Sequence, residues 1–215
     1  MLLLTVYELA ATLAPGLIAY AFARMRGWRI RGDAVGFAPM LLFSLYVFAV
    51  LFVTGAGTVY NLFTYGLEIN PHQLNLVPLV SMAQAADVGD ALAGFALNVV
   101  LFAPLGLLLP LVWPQTARAL SVGAFGFVFS LAIESSQLLN NRTTDVDDLL
   151  ANTLGALAGF AVYTLWRGAT GRSRTVRGKQ PQPALQGPAL CVSILFVSHF
   201  LLFNEFGFMK LLYGF

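Results

Sequence analysis

Apolar residues occur along this chain in six long runs that are separated by shorter polar stretches. The runs cover roughly 2–23, 34–59, 90–113, 119–139, 149–166 and 189–207. Each run approaches the ~20 residues that an α-helix needs to cross a hydrocarbon core about 30 Å thick. The fifth run is short, and the sixth is the least regular. The pattern predicts an all-α fold, a polytopic integral membrane helical bundle with five or six transmembrane helices.

The composition agrees with a membrane protein. Hydrophobic residues make up 58% of the 215 residues and charged residues only 10%, whereas an ordinary soluble domain carries about a quarter charged residues. Little of the chain remains for a soluble domain, so the function must reside in the membrane or in the loops. Cys191 is the single cysteine, which excludes an intrachain disulfide and a thiolate metal cluster. The net charge of +2 is small, and no nucleic-acid partner is implied.

Basic residues are concentrated in the loops that follow the first, third and fifth runs. They are Arg24, Arg26, Arg29, Arg31, Arg118, Arg167, Arg172, Arg174, Arg177 and Lys179. Because lysine and arginine accumulate on the cytoplasmic side of short loops, we assign all three loops to the cytoplasm. The loops 60–89 and 140–148 then lie outside, as do both termini if all six runs span. We expect a multi-pass protein of the bacterial plasma membrane.

A basic, glycine- and proline-containing segment at 168–188 interrupts the apolar pattern. It has no apolar periodicity and is typical of a flexible cytoplasmic linker. Such a segment can also attract anionic membrane lipids. The linker divides a membrane core at 1–167 from an additional C-terminal membrane helix at 189–215.

Polar side chains recur at helical spacing inside the fourth and fifth runs. One stripe consists of Ser130, Glu134, Gln137 and Asn141, and a second of Asp145, Asp148, Asn152, Gly155 and Gly159. Residues three and four positions apart share one face of a helix. Because a polar group exposed to lipid is costly, we expect the two stripes to face each other.

Small residues beside these polar positions predict where the helices meet. Gly155 and Gly159, with Ala151 one turn before them, would allow a neighbouring helix to approach closely. Gly94 and Asn98 make the same pairing in the third run. We therefore expect the third, fourth and fifth helices to meet at their outer ends around a polar site. That site contains Asn98, Glu134, Gln137, Asp148 and Asn152, with Arg142 and Asp145 above it.

A purely structural interpretation accounts for part of this cluster. Asp145 or Asp147 could cap the fifth helix at its N-terminus. Asn98 and Asn152 could serve as hydrogen bonds between helices. Asp147 lies off the polar stripe, and we expect it to be a simple cap or a solvent-facing charge. Glu134 is harder to explain in this way, because a carboxylate inside a membrane span is a functional candidate by default.

A divalent cation is an open alternative for this site. Paired aspartates could hold Mg²⁺ or Ca²⁺, which both take oxygen ligands. No histidine is close in sequence: His72 lies in the outer loop, and we expect His199 to be a core or interface histidine. Glu8, near the outer end of the first run, could join the cluster or reach water at the interface.

Several motifs resemble those of a known family. They are NLVP at 75–78, NVVLFAPLG at 98–106, ESSQ at 134–137, RTTDVDD at 142–148 and NTLG at 152–155. In order and spacing they resemble the VanZ-like membrane proteins over about 75–165, while the two N-terminal runs and the last run carry no such signature. Thr143 and Thr144 are a departure, because an apolar pair is usual there. The resemblance implies a small polytopic protein of the bacterial cell envelope, associated through its founding member with resistance to the glycopeptide teicoplanin.

Two functions fit an outward-facing polar site. The first is an enzyme that acts on a lipid-linked or glycan envelope intermediate, with Glu134, Asp145 and Asp148 as candidate catalytic carboxylates. A carboxylate shielded from water can act as a general acid or base at neutral pH, and the fork of Arg142 suits phosphate or carboxylate. The second is a non-catalytic protein that binds or shields an envelope component or an antibiotic. The candidate binding residues are Asn75, Asn98, Gln137, Arg142 and Asn152.

Transport is a third and less favoured function. The charged residues crowd one leaflet, whereas a transport pathway usually needs polar groups near the middle of the membrane. The sequence leaves the oligomeric state open.

Overall fold

The computed structural model describes residues 2–26, 37–66, 74–78, 87–140, 142, 144–171 and 186–214. Its helices are α1 (Leu2–Met25), α2 (Phe37–Thr54), α3 (Val59–Tyr65), α4 (Val88–Val112), α5 (Ala119–Gln137), α6 (Val146–Ala169), α7 (Gln186–Leu202) and α8 (Glu205–Tyr213). Short 3-10 turns follow α4 at Pro114–Thr116 and α5 at Leu138–Asn140. The predicted positions Asn141 and His72, and most of the predicted linker, lie outside the described residues.

Five helical segments in the described part of the chain are long and apolar enough to cross a membrane. The second of them comprises α2 and α3 together. Helices α7 and α8 form a pair bent by 45°, which would be a sixth span if the pair crosses as one unit. The predicted helical membrane bundle is thereby confirmed. Many large apolar side chains on the outside of the bundle are exposed, which is the surface that lipid would cover.

Two very short strands add the only β pairing in the described residues. Strands β1 (Leu74–Asn75) and β2 (Thr144–Asp145) pair in parallel, with Asn75 opposite Asp145. Both segments lie in predicted loops, 60–89 and 140–148. The pairing brings the NLVP segment against the start of α6.

Helices α4 and α6 form the most extensive helix pair of the described elements. A Cβ atom on Gly159 would overlap the carbonyl oxygen of Ala103, and one on Gly155 would overlap that of Val99. Only a residue without a side chain allows two helix backbones to come this close. The predicted small-residue face of the fifth apolar run is confirmed.

The small residue that α4 contributes to this crossing differs from the prediction. Gly106 packs against the carbonyl oxygen of Ala156, whereas a Cβ built on Gly94 has no heavy atom of another described segment within 4 Å. The prediction of Gly94 was wrong because α4 and α6 diverge toward the N-terminal end of α4, where a cleft opens between them.

Helices α1 and α7 pack side by side at the edge of the bundle. The hydroxyl of Tyr7 donates to the carbonyl oxygen of Leu202 at 2.6 Å and accepts from the backbone amide of Asn204 at 3.0 Å. The start of α1 and the end of α7 therefore lie at the same end of the bundle. A contact from His199 to Ala56 places the end of α2 there too. Six alternating spans require this arrangement, and which side faces outward remains a prediction.

Candidate functional site

Asp145 organises the carboxylates at the N-terminus of α6. Its backbone is extended (φ −118°, ψ 127°), and its side chain accepts a hydrogen bond from the amide of Asp147 at 2.9 Å, which makes Asp145 the N-cap. Its second carboxylate oxygen accepts from the Asn75 amide at 3.2 Å. Its backbone amide donates to Oε2 of Glu134 at 3.3 Å. One residue thus links β1, α5 and α6.

Asn98 and Asp148 connect α4 to the first turn of α6. The Asn98 side-chain amide donates to Oδ1 of Asp148 at 2.6 Å. This short hydrogen bond to a carboxylate fixes the orientation of the Asp148 side chain. The charges of Asp148 and Asp145 both act on Glu134, so three carboxylates share one electrostatic environment. The sequence prediction that Asn98, Glu134, Asp145 and Asp148 come together is confirmed.

Asn152 lies one turn deeper along α6. Its amide nitrogen donates to the Ser130 hydroxyl at 2.9 Å, so the two predicted polar stripes do face each other. The Asn152 side chain is only 2% exposed, and its Oδ1 atom has no hydrogen-bond partner within the described ranges. A buried amide oxygen without a donor is costly. A ligand group or a water molecule that donates a hydrogen bond would satisfy it.

An open cleft of about 450 Å³ lies beside these carboxylates. Its lining combines apolar side chains with an amide and three carboxylates. The residues that line it are Val53, Ala91, Gly94, Phe95, Leu97, Asn98, Asp145, Asp147 and Asp148. Glu134 is 4% exposed and is not among the described lining residues, so it lies behind the carboxylates that line the cleft.

The position of Asp147 differs from the prediction. It is neither the cap of α6 nor a solvent-facing charge, because Asp145 takes the cap position and Asp147 is only 5% exposed. Asp147 lies four positions before Ala151 and eight before Gly155, on the small-residue face that packs against α4. Asp147, Ala151 and Gly155 are spaced four positions apart in the sequence, but the predicted small-residue face began at Ala151.

Gln137 and Arg142 bind a partner that the sequence did not predict. The Gln137 amide donates to the carbonyl oxygen of Thr54 at 2.7 Å, and Nη1 of Arg142 donates to the same oxygen. Asn140 donates to the carbonyl oxygen of Gly55 at 3.0 Å. The prediction that Gln137 and Arg142 face the carboxylates was therefore wrong. They bind the free carbonyls at the C-terminus of α2, where a cation is favoured.

The cause of this difference is a break that the apolar run 34–59 concealed. Helix α2 ends at Thr54, and Gly55 adopts the left-handed conformation (φ 62°). A Cβ atom on Gly55 would lie 2.8 Å from Nη1 of Arg142. We refer to residues 55–58 as the α2–α3 break. Two glycines within three positions were the signal that could have predicted it.

Arg142→Met should reveal this capping role. The variant keeps much of the apolar stem and loses the donor to the Thr54 carbonyl, so we expect a loss of about 0.3–1 kcal/mol in stability, as for other cations at a helix C-terminus. Thermal unfolding of purified protein in detergent measures it. Arg118→Met is the control, because Arg118 makes no side-chain cap hydrogen bond at the start of α5. Equal loss in both variants would contradict the capping role.

A metal site receives no support from the described side chains. No three histidine, cysteine, aspartate or glutamate residues among them are placed to hold one ion. Glu8 does not join the cluster: its carboxylate lies 3.8 Å from Nδ1 of His199. His199 is 1% exposed, as expected of a core histidine.

A family model described as VanZ/LLP1 matches residues 34–167. The chain belongs to the VanZ/LLP1 family. Protein VanZ of Enterococcus faecium is 30% identical to it over 127 residues, which cover 58% of this chain and 72% of that protein. No solved structure matches the chain.

The extent of the VanZ/LLP1 match separates two parts of the bundle. The match includes α2 to α6, and with them the whole of the carboxylate cleft. It begins earlier than the resemblance over 75–165, because the second apolar run also belongs to the family region. Helices α1, α7 and α8 lie outside the match.

Proposed function

We propose that this VanZ/LLP1-family protein acts at the outer face of the bacterial plasma membrane on a lipid-linked or glycan intermediate of the cell envelope. Resistance to glycopeptides such as teicoplanin would be the cellular outcome. The observation that carries the proposal is the cleft of about 450 Å³, with its mixed apolar and carboxylate lining, at one end of the bundle. Its outward orientation rests on the distribution of basic loop residues.

The cleft lining combines apolar side chains with carboxylates, which supports an amphiphilic ligand. Val53, Phe95 and Leu97 offer apolar surface for a hydrocarbon chain. Asp145 and Asp148 offer carboxylate oxygens, which accept hydrogen bonds from hydroxyl and amino groups. A sugar head group on a lipid carries donors of this kind beside a hydrocarbon chain.

The positions of the carboxylates support distinct roles in the proposed reaction. Asp148 lines the cleft and is held by Asn98, so it is the candidate for proton transfer to or from the ligand. Glu134 lies behind Asp145 and accepts a hydrogen bond from its backbone amide. This contact supports a role for Glu134 in setting the charge and position of the lining residues. No step of this proposal uses a metal ion.

A non-catalytic function is the second candidate, and one observation favours it. Two carboxylates that line the cleft already accept hydrogen bonds. Asp145 accepts from the Asn75 side chain and from the Asp147 backbone amide, and Asp148 accepts from the Asn98 side chain. Such fixed acceptors are preorganised for recognition without any chemical step. The protein would then bind or shield an envelope component or an antibiotic.

Asp148→Asn and Glu134→Gln test both candidates. Envelope lipids and teicoplanin would be offered to purified protein in lipid nanodiscs, with turnover and binding measured separately, and glycopeptide susceptibility would be measured in expressing cells. If Asp148 transfers a proton, turnover should fall about 10²–10⁴-fold in Asp148→Asn. If the protein only binds, no turnover occurs in the parent and affinity falls in the variant.

Asp87→Asn is the matched control for this test. Asp87 caps α4 at an exposed position, and asparagine caps a helix equally well. We expect this variant to behave as the parent. Unchanged turnover, binding and susceptibility in both Asp148→Asn and Glu134→Gln would refute the proposal.

A further inference from the structure

Helices α1 and α7, which lie outside the family match, enclose a second buried polar group. Glu8, Thr12 and His199 are 6%, 0% and 1% exposed. Nδ1 of His199 lies 3.4 Å from the Thr12 hydroxyl and 3.8 Å from the Glu8 carboxylate. Nε2 of His199 lies 3.2 Å from the carbonyl oxygen of Ala56. The proposed function uses none of these side chains.

The hydrogen-bond partners decide which way the imidazole is oriented. A carbonyl oxygen only accepts, so the contact with Ala56 assigns a proton to Nε2 of His199. The Thr12 hydroxyl already donates to the backbone carbonyl of Glu8 at 2.8 Å. The Glu8 carboxylate lies on the Nδ1 side of the ring at 3.8 Å, beyond hydrogen-bond distance, so the contact with Ala56 is the one that assigns the ring orientation.

Ala56 belongs to the α2–α3 break, which α5 holds from the other side. The amide of Gly57 donates to the Ser136 hydroxyl at 3.0 Å, and Gln137 donates to the carbonyl oxygen of Thr54. Val53 precedes Thr54 and lines the cleft. The α2–α3 break is thus held between the α1–α7 pair and α5. Ala56 is three residues away from Val53, which lines the cleft.

We propose that His199 is a positioning residue for the cleft. It holds the Ala56 carbonyl and thereby sets the distance between the Val53 wall and the α4–α6 pair. Through this contact, the two helices outside the family region determine the width of the cleft. The inference rests on the proposed function in one respect, namely that the cleft is the ligand site.

Loss of the Nε2 donor leads to a specific rearrangement. In His199→Leu the Ala56 carbonyl is buried without a donor, which favours movement of the break toward any available donor. The α4–α6 pair is held by its own backbone contacts at Gly106, Gly155 and Gly159 and does not follow. The expected change is therefore confined to one wall of the cleft.

Distances between spin labels on the full chain in lipid nanodiscs test this inference. Cys191→Ser provides a background without the native thiol, and labels are attached through cysteines that replace Val53 and Leu165. A second pair, at Leu97 and Leu165, reports on α4 and α6 alone. All three positions are exposed. In His199→Leu the 53–165 distance should shift or broaden while the 97–165 distance stays as in the parent.

Three further variants separate positioning from general destabilisation. His199→Gln retains an amide donor and should restore the 53–165 distance. His199→Met also lacks a donor and should move it in the same direction as His199→Leu, and it replaces that variant if His199→Leu does not fold. Leu195→Ala removes apolar packing from the same helix but keeps the His199 donor, and it should leave both distances unchanged; Leu195 is 3% exposed.

An unchanged 53–165 distance in the folded variants would overturn the inference, as would equal broadening of both label pairs. The measurement uses no ligand. A failure of the proposed function would therefore leave this result intact, and a failure here would leave the assays of Asp148→Asn unaffected.

Discussion

Replacing Gly159 with alanine is expected to disrupt the bundle more than any other single methyl addition in α6. The new Cβ atom would overlap the carbonyl oxygen of Ala103, which belongs to the α4 backbone and cannot rotate away. Overpacking typically costs ~1–3 kcal/mol, and we expect the upper end of that range or more. The gain in helix propensity from glycine to alanine, at most about 1 kcal/mol, does not offset it. Yield of monodisperse protein and its thermal unfolding midpoint measure the effect.

Gly94→Ala is the matched control for the crossing. It adds the same methyl group in the second turn of α4, where the new Cβ atom has no described heavy atom within 4 Å apart from the local α4 backbone. We expect neutral or slightly increased stability, because only the gain in helix propensity remains. A Gly159→Ala protein as stable as Gly94→Ala would show that α4 and α6 do not pack through their backbones.

Gly57→Ala is the second change with a large expected effect. A Cβ atom there would overlap the carbonyl oxygen of Ser136, so the α2–α3 break would be pushed away from α5. The hydrogen bond from the Gly57 amide to the Ser136 hydroxyl would be lost with it. We expect a loss of about 2–4 kcal/mol from overpacking together with the broken hydrogen bond. Thermal unfolding measures the stability, and ligand binding reports on the displaced Val53 wall.

Gly16→Ala provides the comparison for Gly57→Ala. Its new Cβ atom would meet Ile194 at 3.6 Å, an ordinary van der Waals contact with a side chain. We expect little change in either stability or binding. If Gly57→Ala also left both unchanged, the contact between the break and α5 would have no energetic importance.

The spans could be predicted because lipid imposes a length on each apolar run. The third run was predicted at 90–113, and α4 covers Val88–Val112. The fifth was predicted at 149–166, yet α6 begins at Val146, because its first turn carries aspartates that an apolar pattern does not count. The second run was predicted as one piece, since two helices joined by a short glycine-containing break present the same apolar length as one.

The candidate site was partly predictable for a similar reason. Side chains at helical spacing must face one another in lipid, which is why Asn98 with Asp148 and Ser130 with Asn152 could be expected to meet. The partner of Gln137 and Arg142 could not be predicted. It is a backbone carbonyl at a helix end, and a pattern of side chains does not show which backbone carbonyls are free to accept hydrogen bonds. Asn140 was missed for the same reason.

The pairing of β1 with β2 has a consequence for the order of synthesis and assembly. Asn75 and Asp145, which it brings into contact, are 70 positions apart. At roughly 5–20 residues per second, Asn75 waits on the order of 4–14 s for its partner to be made. During that interval α4 and α5 can insert and pair locally, since helix contacts close in sequence form early. The rim of the cleft can therefore form only once synthesis has reached the start of α6, after α4 and α5 have been made.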